Sequence, residues 1–220
     1  MRRVRPHGYP CGVTTTGLFV SLEGGDGAGK STQAAMLRDW LEEAGREVVL
    51  TREPGGTELG RLLRDAVLHG DHVDPRTEAL LYATDRAHHV ASLVRPALER
   101  GAVVVTDRYL DSSVAYQGSG RDLGADEVEA LSMWATQGLL PALTVLLDLD
   151  PVVGRSRLTG DLDRLESAGD EFHARTRQAF LDRAAADEGR WLVLDATAPA
   201  DQLAAAIRGR VAGLLAGAAS

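Results

Sequence analysis

Leu18-Phe19-Val20-Ser21-Leu22-Glu23 runs directly into Gly24-Gly25-Asp26-Gly27-Ala28-Gly29-Lys30-Ser31-Thr32, and helical periodicity follows. The first six residues are mostly apolar and read as a buried strand. The G-x-x-x-x-G-K-S behind them has a strand before it and a helix after it, the context a phosphate-binding P-loop requires. Its glycines let backbone N–H groups curl around a phosphate, and the helix N-terminus adds partial positive charge. Lys30 is spaced to reach the β- and γ-phosphates, and Ser31 to ligate Mg²⁺. Gly24, Gly25, Asp26, Gly27, Ala28, Gly29 and Thr32 complete the cradle. The stretch predicts binding of a nucleoside triphosphate.

Composition sharpens this reading. Of 24 basic residues, Lys30 is the one lysine. A compact ammonium serves a phosphate cradle better than a broad guanidinium fork. The net charge of −8 argues against a nucleic-acid polymer as partner. A small anion is still compatible, because local N–H groups and arginines decide that. No apolar run reaches the ~18 residues of a membrane span. The basic N-terminus lacks an apolar core and is not a signal peptide. Residues 1–16 read as a disordered extension or a misassigned start. They hold the single Cys11, which can form no internal disulfide, so a reducing cytoplasm is expected.

Outward from the loop, Ala34, Leu37, Leu41 and Ala44 predict an amphipathic helix ending near Gly45. Glu47–Thr51 reads as a second strand, buried on both faces. It ends in Arg52-Glu53-Pro54-Gly55-Gly56-Thr57, after which Thr57 caps a helix with Leu59, Leu62, Leu63 and Val67 inward. Pro75 to Arg100 is the longest helical stretch, with Leu80, Ala83, Ala87, Val90, Val94 and Leu98 as its stripe and Pro96 kinking its last turn. Ala102–Thr106 reads as a central strand. Asp126 with Glu129 predicts a capping box for a helix through Gln137. Leu143–Leu149 and Trp191–Asp195 are the fourth and fifth strands. Helices cover about 170–188 and the segment carrying Leu203, Ile207, Val211 and Leu214.

Alternating strands and helices predict an α/β fold of three layers, a five-stranded parallel sheet covered on both faces. Residues 17–216 form one domain, with a short lid over about 152–168. Ligands should gather at the carboxyl ends of the strands, where the loops 24–31, 52–57, 107–117 and 150–168 fall.

Asp107 ends a strand where a Mg²⁺-associated carboxylate belongs, and it would also serve as a helix cap. Arg108 suits a bidentate phosphate contact or a surface ion pair. Asp26, among phosphates, needs a sugar hydroxyl or a metal-bound water as partner, or else it is a solvated loop residue. Arg86 in isolation reads as a solvated helix residue. His88 and His89 adjoin it but find no ligand spacing for zinc. Tyr109–Gly118 is rich in hydroxyls and an amide that can read a base edge or make turns. Arg155, Arg157, Arg164 and Arg175 lie in or beside the lid. An arginine arriving there on closure can be worth about 10³–10⁵ in rate.

Together, Glu23–Thr32, Thr51-Arg52-Glu53-Pro54-Gly55-Gly56-Thr57, Asp85-Arg86-Ala87, Asp107-Arg108-Tyr109 with Ser112-Ser113 and Ala115-Tyr116-Gln117-Gly118, and Leu147-Asp148-Leu149-Asp150-Pro151 resemble the bacterial thymidylate kinases, P-loop nucleoside monophosphate kinases. The resemblance covers about residues 17–210. It implies phosphorylation of dTMP to dTDP with ATP and Mg²⁺ by a homodimer. It places Gly24–Thr32 on the ATP phosphates, Arg108 on the dTMP phosphate and Asp107 near Mg²⁺. Asp26 would face the 3′-hydroxyl, Arg86 would bond thymine O4, and Ser113 and Gln117 would lie near the N3 edge. Tyr82 would stack on the base, Tyr116 would shut out a ribose hydroxyl, and Pro54 would shape the acceptor side. Two departures stand out. The P-loop lacks the arginine one subgroup carries, and the lid is shorter and less basic than usual. Arg157 and Arg164 best fit the catalytic lid positions.

Rival readings are another nucleoside or nucleoside monophosphate kinase, and a nucleotide-binding module with an impaired site. A regulatory GTPase would need an Asn-Lys-x-Asp loop, and a partitioning ATPase a second signature lysine. The single committed Lys30 supplies neither.

Overall fold

The computed structural model describes residues 17–159 and 163–217. The expected extension 1–16 and the lid residues 160–162 lie outside them.

Five parallel strands form one sheet in the order β2-β3-β1-β4-β5: β1 Leu18–Glu23, β2 Val48–Arg52, β3 Val103–Asp107, β4 Leu143–Asp148 and β5 Trp191–Asp195. The register sets Leu22 beside Asp107, and Asp107 beside Arg52. The carboxyl ends of β1, β2 and β3 therefore finish level and deliver their loops to one edge. Helices α1 Lys30–Glu43 and α9 Ala200–Gly217 help cover one face, where Val20, Leu22, Leu37, Leu41, Val105, Val145 and Ile207 interlock. The other face carries Phe19, Val94, Leu98, Val104, Tyr109 and Leu110. The expected three-layer α/β architecture holds.

Strand β2 departs from expectation. It pairs with β3 alone and is an edge strand, with Leu50 38% exposed rather than buried on both faces. Thr57 does cap α2 (Glu58–Leu68), its Oγ1 accepting from Gly60 N at 2.9 Å. Leu59 and Leu62 nevertheless face outward, and Gly60, Val67 and Leu68 are the buried positions.

Helix α3 (Pro75–His89) continues through a π turn, Val90–Val94, into α4 (Arg95–Glu99). Proline has no N–H to donate back one turn, and the wide turn just before Pro96 accommodates that loss. It also resets the helical phase. Leu80, expected in the buried stripe, is 55% exposed, whereas Ala79, Tyr82, Ala83, Arg86 and His89 turn inward, and Val90 and Val94 remain core.

The segment after β3 is helical rather than a loop: α5 Leu110–Ser113, then a second π turn, Val114–Gly120. Asp111, fully buried, accepts from Arg183 (2.9 and 2.7 Å) and Arg190 (2.7 and 3.1 Å) and ties this segment to α8 (Asp170–Ala186) and to the start of β5. The expected capping box at Asp126 is absent. α6 (Ala125–Thr136) starts after Gly124 with no side-chain cap, and Glu129 is drawn instead to Arg183. The segment expected to act as a lid starts with α7 (Pro151–Ser156), capped by Asp150, which accepts from Val152 N at 2.9 Å.

Candidate active site

The loop between β1 and α1 turns on left-handed glycines. At Gly24 (φ 134°) and Gly27 (φ 74°) an added Cβ would run into the carbonyls of Leu147 and Gly154 respectively. Both positions thus need glycine for backbone angle and for close approach. Lys30 stands at the first turn of α1, buried, its Nζ donating to Gly24 O (3.1 Å) and Gly25 O (2.7 Å). Burial, with Arg108 nearby, lowers its pKa to about 8. Ser31 Oγ donates to Asp107 Oδ2 at 2.7 Å, so the two expected metal-associated groups meet at the loop mouth.

Arg108 has φ 69°, rare for a residue with a side chain. Its backbone is pinned there: Arg108 N donates to Leu22 O (2.9 Å), and Thr106 Oγ1 donates to Arg108 O (2.9 Å). The turn swings the guanidinium over the P-loop. Nη1 donates to Gly24 O (3.0 Å) and Ser112 Oγ (3.1 Å), and Nη2 to Asp26 Oδ1 (2.5 Å) and Tyr116 Oη (3.2 Å). Burial alone would raise the Asp26 carboxyl, but the charges of Arg108 and Lys30 outweigh it and hold Asp26 below its ordinary value. The awkward carboxylate of the sequence has a cationic partner.

Behind Arg108 sits Glu23, fully buried at the end of β1. It accepts from Tyr109 N (2.8 Å) and Ser112 Oγ (2.6 Å). Burial, reinforced by the nearby Asp111 charge, raises its pKa to about 8.

Arg86 reverses the solvated reading, being 2% exposed. Its Nε donates to Glu53 Oε2 (2.7 Å), Nη1 to Ser132 Oγ (3.2 Å), and Nη2 to Tyr109 O (3.2 Å) and Ser113 Oγ (3.1 Å). Four of the five guanidinium N–H groups are thereby used, and one on Nη1 is left. Glu53 Oε1 also pairs with His89 Nδ1 (2.8 Å), whose Nε2 meets Thr51 Oγ1 (2.8 Å). His89 is thus a structural partner of Glu53. Asp85 beside them accepts from Gly55 N (3.3 Å) and keeps its other oxygen unpartnered, and burial and the Glu53 charge raise its pKa to about 6.

Two clefts open along this edge. One, enclosing about 600 Å³, is lined by Pro54, Tyr82, Arg86, Ser113, Tyr116 and Gln117. The other, about 950 Å³, runs over Gly27, Gly29, Lys30, Ser31, Thr32 and Asp107. Asp26, Glu53, Arg64, Arg108 and Glu166 line both, so Arg108 stands at their junction. The first holds every residue expected on the acceptor side. The second holds most of those expected around triphosphate.

The lid arginines separate. Arg157 donates from Nη1 to Gly27 O and Ala196 O, each at 3.3 Å, and lines the cleft over Lys30 and Ser31. Arg164 lies instead 3.0 Å from Glu78 Oε2, away from the P-loop. Arg155 pairs with Asp170 and Arg175 with Glu171, both on the surface.

Sequence reading missed Arg64, Glu166 and a shallow third cleft. Arg64 donates to Pro54 O (3.1 Å) and reaches both main clefts. Its signal was its place about two turns beyond the Thr57 cap, which returns the side chain over the 52–57 loop. Glu166 was hidden in a polar lid with no periodicity. The third cleft, flanking the cradle, is lined by Thr32, Gln33, Arg157, Ala196 and Ala198. It assembles residues too far apart in sequence to be linked there.

Known proteins resemble this chain over most of its length. The sequence model of the family described as thymidylate kinase matches residues 22–207. A thymidylate kinase of Clavibacter michiganensis subsp. michiganensis is 62% identical over 209 residues, covering 93% of this chain and 99% of that one. Those of Bifidobacterium longum (58% over 196 residues; 87% and 95%) and Deinococcus radiodurans (53% over 194 residues; 87% and 94%) are also similar. Matched over residues 22–207 by that family's sequence model and 62% identical to a thymidylate kinase across nearly its whole length, the chain belongs to the thymidylate kinase family.

Proposed function

We propose that the protein transfers the γ-phosphoryl group of ATP to dTMP, giving ADP and dTDP. The observation that carries this reading is the pair of adjoining clefts with Arg108 in their common wall. One cleft is a phosphate cradle. The other is lined by an aromatic ring, a buried guanidinium and an amide, the groups that stack on and bond a pyrimidine. An oxygen of the dTMP phosphate forms the new bond to the γ-phosphorus as the bond to the ADP oxygen breaks. That oxygen is already anionic, so no general base is needed.

Catalysis is then alignment and charge stabilisation. Lys30 and the loop N–H groups hold the donor. Arg108 and Arg64 hold the acceptor phosphate, exchanging Asp26 and Pro54 contacts for it. Asp26 is freed to meet the 3′-hydroxyl, and Tyr116, stacked under Arg108, crowds the 2′ position. Ser31 and Asp107, two hard oxygen donors 2.7 Å apart, would hold Mg²⁺, which neutralises charge on the phosphate oxygens. Arg157, at the P-loop carbonyls, is the better placed lid arginine for transition-state charge, and Arg164 anchors the far end of the lid. Closure over 152–168 excludes water that would otherwise hydrolyse ATP.

No helix among the described residues is long and apolar enough to cross a membrane. We assign the reaction to the cytoplasm, where ATP and deoxynucleotides meet, and the active form to a homodimer. Helices α2, α3 and α6 pack side by side and leave Leu62, Leu80 and Trp134 exposed at 66, 55 and 68%. Light scattering at micromolar concentration should give twice the chain mass, and a monomer would remove the dimer assignment. The activity is tested by a panel of nucleoside monophosphates with ATP and Mg²⁺. The expected result is rapid conversion of dTMP to dTDP. Preferential turnover of another monophosphate, with dTMP untouched, would overturn it.

A further inference from the structure

Glu78 lies on α3, one turn before Tyr82, and enters the chemistry above only as the partner of Arg164. It is 1% exposed and collects three partners, two from the end of the 114–120 π turn and one from the 163–168 segment. Gln117 Nε2 donates to Oε1 at 2.9 Å. Arg121 reaches Oε1 and Oε2 at 3.4 and 3.3 Å, and Arg164 lies 3.0 Å from Oε2. A carboxylate between two guanidiniums only accepts hydrogen bonds. The end of the Gln117 amide that faces it must therefore be the NH₂. Gln117 is itself 1% exposed and lines the acceptor cleft. Its other end, the carbonyl oxygen, is left for the cleft.

We propose that Glu78 sets the pyrimidine specificity of the acceptor cleft by fixing the Gln117 amide with its carbonyl oxygen toward the base. This rests on the dTMP reading above. Arg86 then sets a donor, its remaining Nη1 hydrogen, in the cleft wall, and Gln117 sets an acceptor, Oε1. Thymine presents the complement, an O4 acceptor beside an N3–H donor. Cytosine presents the reverse, an N4 amine beside a bare N3. Arg86 can only donate and so opposes the cytosine N4 amine in any case; at N3 an amide free to rotate would serve either base, so the share of the discrimination made there comes from whatever forbids rotation. The shape of an apolar pocket reads only the 5-methyl group, which thymine carries and both uracil and cytosine lack, so it cannot tell dUMP from dCMP. A buried polar group left facing its own kind supplies that distinction readily.

Glu78→Gln tests this, since the new amide can donate to Gln117 as well as accept from it and so permits the flipped orientation. With saturating ATP, kcat/KM is measured for dTMP, dUMP and dCMP. The dTMP:dCMP ratio should fall at least tenfold in the variant. The dTMP:dUMP ratio should stay within twofold, because uracil has the same edge as thymine. The KM for ATP should also hold, which a general loosening of the fold would not allow. A folded variant with an unchanged dTMP:dCMP ratio, or one whose dTMP:dUMP ratio shifts instead, overturns the assignment. Should Glu78→Gln not fold, Gln117→Met removes the oriented amide and leaves the ion pairs of Glu78. It should lose the same discrimination, and retained discrimination overturns the assignment. Wild-type protein inactive on dTMP would overturn the dTMP reading itself, a distinct outcome.

Discussion

Lys30→Met should lower kcat by about 10³-fold and, in the nucleotide-free protein at pH 7, raise stability by about 1–2 kcal/mol. The two effects have one cause. The ammonium is buried where a triphosphate would need it, with the Arg108 charge nearby, and its pKa falls from 10.5 to about 8. Between those values the unfolded chain holds a proton that the folded protein has released, so stability rises with pH across that window. Below pH 8 the folded state carries the full cost of burying the charge. Replacing Lys30 removes that cost, partly offset by the loss of its bonds to Gly24 O and Gly25 O. Denaturant titrations from pH 7 to 10.5 should show the wild type converging on the variant as pH rises. Retained turnover would refute the role of Lys30. Parallel stability curves would refute the electrostatic account of its cost.

Arg86→Met should be the most damaging single substitution to the fold, at about 3–5 kcal/mol, or roughly 10 °C in Tm for a chain of this size. The side chain is large and buried, but lost volume is the smaller part, since methionine replaces much of it. The larger part is Glu53, left buried without its guanidinium and close to Asp85, whose pKa burial and Glu53 already raise to about 6. A raised acid in the folded state binds protons the unfolded chain has released, so its contribution to stability declines as pH rises through that window. Without Arg86 the window extends upward. The variant's deficit should therefore shrink as pH falls from 8 to 5.5. At temperatures where it stays folded, KM for dTMP should rise about 10²-fold with KM for ATP little changed. A deficit independent of pH would mean that packing, not the carboxylates left without the guanidinium, dominates.

The legibility of the two clefts in the sequence was unequal. The phosphate cradle is a contiguous segment whose function lies in backbone N–H groups and glycine angles, so Gly24–Thr32 could be read locally. The sheet was nearly as plain, because strand and helix periods alternate without ambiguity. Where expectation failed, a distant element had intervened. Leu80 turned outward because a π turn reset the phase of its helix. Arg86 turned inward because Glu53, from another strand's loop, was there to receive it. Glu129 left a capping role for Arg183, which comes from α8.

By itself, then, the sequence determined that this chain builds a five-stranded parallel sheet around a P-loop, and its motifs pointed to a nucleoside monophosphate as acceptor. Only the tertiary structure decided what each charged side chain answers to. It set Arg108 at the junction of two clefts, put Arg157 rather than Arg164 on the P-loop, and gave the Gln117 amide a partner, Glu78, at the end of the side chain turned from the cleft. Backbone geometry is set by neighbours in the chain. The state and direction of a buried charge are set by whatever the fold brings within a few ångströms of it.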